Sequence, residues 1–159
     1  MLNLIEMDKD IPKSQQIKKL HKVASQICSK INKKLFNDSD VESYTYDITL
    51  AKDELGIDEE LIYQLIEDYV MQILKSKQLF YNLLQENKLK EFKELAHKNL
   101  GVARNLRIED AQLFLNKMMD SDESEVLKEC IDALEACAIK LNADYAFGVL
   151  KLIKLKNSL

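Results

Sequence analysis

One proline and three glycines punctuate the 159 residues of this chain. Globular proteins carry about 5% proline and about 7% glycine. Turns are therefore scarce here, and the chain must run in long elements. The apolar residues decide which kind. Between Lys13 and Phe36, Ile17, Leu20, Val23/Ala24, Ile27/Cys28, Ile31 and Leu35 recur at steps of three and four. That spacing lines up one face of an α-helix. A many-stranded fold would need alternation and frequent turns, and neither is present.

The same period returns along the chain. Pro12 suits a first helical turn, so the first helix opens beside it. The polar segment Asn37 to Asp47 reads as a linker. One or two helical turns follow and end at Gly56, a plausible C-terminal cap. Asp58 offers an N-cap to the longest apolar face, Leu61/Ile62 through Leu84. A third helix is expected over Leu89–Leu106 and a short fourth after the break at Arg107–Asp110. Asp120 to Asp122 would cap the next, which carries Val126/Leu127 through Leu141, and a last piece runs over Ala143–Leu155. Four consecutive amphipathic helices with short links argue an all-α fold. Its centre is an antiparallel up-and-down four-helix bundle. The expected division is an N-terminal amphipathic helix and polar linker over 1–45, the bundle over 46–141 and a C-terminal helix over 142–159. The apolar stripe of the first helix must cover something: the bundle, a second copy of the chain, or a partner.

Charge and cysteine narrow the class. The net charge is −4 and the cations are interspersed with acids, unlike the basic footprint of a nucleic-acid binder. No apolar run approaches the ~18 residues that cross a membrane. MLNLIEMDKD lacks the order of a secretory signal. Cys28, Cys130 and Cys137 form no C-x-x-C, and read as small core residues in a reducing cytoplasm. Nothing resembles a nucleotide site such as a P-loop. Tyr44, Tyr46 and Tyr63 show no chemistry that stands out.

The stretch ELAHKNLGVARNL, Glu94 to Leu106, carries the candidate chemistry. Histidine occurs only at positions 21 and 97. His21 lies beside the first helix's stripe and reads as structural. His97 sits four residues before Gly101, although a mid-helix glycine costs about 1 kcal/mol against alanine. At about 100° per residue, Phe92, Leu95, Val102, Ala103 and Leu106 lie roughly 140° to 240° from His97. They are the expected core stripe, so His97 points outward. Gly101 lies about 40° from it, and Arg104 and Lys93 return close to its line. The arrangement is an exposed imidazole over bare backbone, with cations that would stabilise an attached anion. Imidazole in water titrates near about 6.5, so a solvated ring offers a nucleophilic nitrogen at neutral pH.

LAHKNLGVARNL resembles the signature of histidine-containing phosphotransfer (HPt) domains, close to A-H-x-L-K-G-x-A with a later Leu. Ala96, His97, Gly101, Ala103 and Leu106 match, and the upstream segment from Leu55 to Leu95 is similar to the helix preceding the motif. The resemblance covers about Tyr46 to Leu141. It implies a four-helix bundle that carries phosphoryl groups in two-component relays, with His97 as the phospho-acceptor. The donor and acceptor would be response-regulator receiver domains, or a hybrid histidine kinase carrying one. No cofactor is implied on this chain, since the Mg²⁺ would sit on the receiver. The chain would be a phosphoryl carrier rather than a stand-alone enzyme.

One departure bears on mechanism. The motif's Leu-Lys before the glycine is Asn99-Leu100 here. The helical wheel puts Asn99 in the core stripe and Leu100 nearer solvent, on the histidine's flank, as a partner contact. The motif's lysine is thus missing, and Lys93, Lys98 or Arg104 would have to substitute. Two other readings stay open. One is a degenerate relative that binds a receiver or kinase without accepting phosphate. The other is a helical adaptor working through the helix Lys13–Phe36.

Overall fold

The computed structural model describes residues 11–37 and 45–158. Tyr44 and most of the expected linker lie outside the described residues. Every described element is an α-helix: α1 (Lys13–Phe36), α2 (Ile48–Leu55), α3 (Glu59–Gln85), α4 (Leu89–Asn105), α5 (Glu109–Asp120), α6 (Ser124–Leu141) and α7 (Ala143–Asn157). None of them is long and apolar enough to cross a membrane.

The ends follow local chemistry. Asp58 caps α3 by accepting from the Leu61 N–H at 2.8 Å, and Asp47 does the same for α2 through Leu50 at 3.0 Å. Gly56 ends α2 at φ 66°, left-handed backbone that favours glycine. The start of α6 departs from expectation. Asp120 closes α5, Ser121 follows as its C-cap, and Glu123 occupies the N-cap of α6 without a side-chain bond. Asp122 instead pairs with Lys93 at 3.3 Å.

Helices α3, α4, α5 and α6 each pack on the next, and α6 returns to α3. Phe80 of α3 meets Phe92 of α4 edge-on, with ring centroids 5.1 Å apart. One turn back from Phe80, the Lys77 ammonium reaches the Glu135 carboxylate of α6 at 2.7 Å with both side chains buried. One turn on, the Tyr81 hydroxyl donates to Asp132 at 2.5 Å.

Helix α1 is part of this core and not an appendage. It lies along α6, and Leu20, Ala24 and Cys28 join the same buried cluster as the other helices. Phe36 reaches Phe114 of α5 at 5.7 Å. The stripe that could have served dimerisation is thus covered within the chain. Between α1, α3, α5 and α7, α6 is buried all round from Ala133 to Ile139. Its small residues Ala133, Ala136, Cys137 and Ala138 leave room for neighbours on every side, which a one-sided amphipathic helix would not.

Candidate phosphoryl-acceptor site

His97 is exposed on the outer surface of α4, and Lys98, Gly101 and Arg104 are exposed with it. Their placement follows from how α4 is wedged. Its buried residues are Phe92, Ala96, Asn99, Leu100 and Ala103, with Leu106 at its end. Relative to His97 these span about 180° to 300° of the helix circumference. The core arc is therefore centred near 240°, about 50° beyond the expected centre. The cause is α5. Sequence alone weighs the most apolar stripe, whereas α4 is covered by α3 on one side and α5 on the other.

Two expectations change as a result. Leu100 is only 2% exposed, so it is a core residue and not a surface contact. The motif position that should hold a lysine is thus filled by packing. Lys93 also turns away from the histidine. Its ammonium donates to the Met118 carbonyl at 2.9 Å and to the Ser121 carbonyl, and it pairs with Asp122. It closes the C-terminal end of α5, where carbonyls lack helical partners. Lys98 and Arg104 remain as the exposed cations of the candidate set.

Asn99 is fully buried on the core side, as the wheel requires. Its amide nitrogen donates to the Leu95 carbonyl at 3.0 Å, and its oxygen accepts from Gln72 of α3 at 3.1 Å. Both halves of the amide are satisfied, so its burial avoids the ~1–3 kcal/mol cost of an unpaired polar group. The bond also fixes the rotation of α4 against α3, and hence the direction in which His97 points.

At Gly101 an added Cβ would meet nothing within 4 Å, and the backbone is ordinary helix. Neither packing nor dihedral angle calls for glycine. Gly148 on α7 is equally open, so openness alone marks no site. Gly101 differs in lying one turn from the exposed imidazole.

No family model, curated protein or solved structure matches this chain. The chemistry of the site therefore rests on its own geometry. An exposed imidazole beside open backbone leaves a ring nitrogen that a large partner can reach. Arg104, on nearly the same line of the helix, adds a fixed positive charge for an anion held there.

The remaining features were out of reach of sequence reading. The Tyr46 hydroxyl donates to the Leu106 carbonyl at 2.6 Å, and Arg107 bonds Glu54 at 2.9 Å. Together they tie α2 and its lead-in to the end of α4. Burial raises the Tyr46 pKa against the opposing effect of Arg107. His21 is exposed and lines a separate cleft with Tyr46, Asp110 and Cys137.

Proposed function

We propose that this chain is a histidine phosphotransfer protein of the HPt type, with α3 to α6 as its four-helix bundle. An imidazole nitrogen of His97 attacks the phosphorus of a receiver's phospho-aspartate. The acyl-phosphate P–O bond breaks, the aspartate carboxylate leaves, and the phosphoryl group stays on the ring until another receiver takes it. The receiver supplies Mg²⁺ and its own acid cluster, and this chain supplies the nucleophile and the docking surface. A cytoplasmic location goes with that role.

The observation that carries the reading is the pairing of an exposed His97 with Gly101, whose missing side chain serves nothing inside the chain. Arg104 takes the electrostatic part that the motif assigns to lysine, because Leu100 is buried and Lys93 is committed to α5.

Incubation with a phosphorylated receiver from the same cell should move label onto the chain as an acid-labile adduct. His97→Gln should abolish it without loss of helicity. Absence of transfer from every receiver of that cell would overturn the proposal. The buried Leu100 favours one second reading, a receiver-binding relative that no longer accepts phosphate. Binding that survives His97→Ala and ignores receiver phosphorylation would select it.

A further inference from the structure

Helices α1 and α6 bring two cysteines together that lie 109 positions apart. Cys28 Sγ and Cys137 Sγ are 2.9 Å from each other, and both thiols are free and buried. A disulfide needs about 2.05 Å, so bonding asks for less than 1 Å of approach. A carboxylate oxygen of Asp110 lies within 4.8 Å of both sulfurs. Asp110, at the start of α5, is 3% exposed, and one oxygen accepts from the Ala111 N–H at 2.8 Å. Asp110 and Cys137 form part of the floor of a cleft of about 290 Å³, rimmed by His21, Ser25 and Lys140. Cys130, on the same helix, is fully buried and lines no part of that cleft.

We infer that Cys28 and Cys137 form an oxidisable dithiol that hydrogen peroxide converts to a disulfide bridging α1 and α6. The cleft reaches Cys137 and has room for an oxidant close to the size of water. Asp110 takes the Cys137 proton, and the thiolate attacks one peroxide oxygen. The O–O bond breaks, and the departing hydroxide recovers that proton from Asp110 as water. Cys137 is left as the sulfenic acid. The Cys28 sulfur then attacks the Cys137 sulfur, the S–O bond breaks, and the leaving hydroxyl takes the Cys28 proton as a second water. Two thiols and one peroxide give one disulfide and two waters.

The same three residues have the donor types of a soft-metal site. Two thiolates, a carboxylate and a divalent ion would leave a net negative charge inside the core, whereas a disulfide leaves none. Burial pushes the Cys137 thiol well up, and the neighbouring Cys28 and Asp110 push it the same way. That disfavours a standing thiolate, so the sulfur gives up its proton only as it reacts.

The test uses the whole chain treated with hydrogen peroxide, then unfolded, alkylated and mapped by mass spectrometry. A Cys28–Cys137 peptide should form while Cys130 stays alkylatable. The thermal midpoint should rise and fall back with dithiothreitol. Cys28→Ser should stop at a Cys137 sulfenic acid that dimedone traps. Asp110→Asn, which keeps the acceptor for Ala111, should slow formation about tenfold or more. Equal oxidation of Cys130, three intact thiols after treatment, or protection of the pair by stoichiometric Zn²⁺ would each overturn the inference.

Discussion

Replacing Gly101 with alanine should make the protein more stable and a poorer phosphoryl carrier. The stability half follows from the helix alone. Gly101 lies in the interior of α4 with helical backbone, and a Cβ there meets open space. Alanine therefore removes the entropic cost of glycine without adding a clash, a gain of about 0.5–1 kcal/mol. For a chain of this size about 1 kcal/mol corresponds to some 2–4 °C in Tm. The functional half depends on a partner needing that space. One methyl tests it mildly and Gly101→Leu tests it hard. Overpacking of a close interface costs about 1–3 kcal/mol, so transfer from a phosphorylated receiver should fall about fivefold to a hundredfold in the leucine variant. Gly148→Ala is the control, because its surroundings are equally open and it lies on another helix. It should raise Tm in the same way and leave transfer untouched. The experiment is a thermal melt beside a single-turnover transfer assay. If Gly101→Leu transfers at the parent rate, the notch has no partner and the reasoning fails. If Gly101→Ala melts lower, the account of α4 is wrong at its first step.

The two cations should separate cleanly. Lys93→Met should lower stability by about 1 kcal/mol, the scale of a lost hydrogen-bonded cap, and leave transfer rates alone, while Arg104→Ala should slow transfer with little change in melting; the reverse pattern would reassign them. Lys77→Met leaves the Glu135 carboxyl buried without its partner and should cost about 3–5 kcal/mol in urea unfolding; a loss under 1 kcal/mol would contradict that. Burial holds the Glu135 carboxyl above the usual range, against the opposing pull of Lys77. Above the ordinary carboxyl range the folded state therefore keeps a proton that the unfolded chain releases. That contribution to stability is full at about pH 4 and below and is lost as pH rises through the folded pKa. Urea titrations from acid to neutral pH should show the parent losing ground to Glu135→Gln as pH climbs, and the opposite slope would refute the assignment.

Local signals were readable where one residue decides the outcome. Pro12 and Asn37 bracket α1, although Pro12 sits at the N-cap with ψ 143°, one place before the first turn expected for it, and Asn37, the first residue of the expected linker, accepts left-handed backbone at φ 52°. Asp58 and Gly56 set their helix ends for equally local reasons. The outward direction of His97 was legible too, since it needs only the period of the helix. What failed needed a second helix. Leu100 looked solvent-facing because nothing in α4 announces that α5 covers that flank. Lys93 looked free because its acceptors are carbonyls of a different element. In α6, Glu135 reads as a surface charge until Lys77 is seen opposite it, and this hides that the helix is enclosed. The Cys28–Cys137 pair is invisible along the chain because only the packing of α1 on α6 creates it.

The enclosure of α6 carries a practical warning. A fragment trimmed to 46–141 would keep the histidine and the motif around it. It would also strip the cover from a helix that has no wet side between Ala133 and Ile139, and leave Cys137 and its alanine neighbours facing water. Such a fragment should clump or unfold even though its sequence looks self-sufficient, so experiments on this protein should retain residues 13–36.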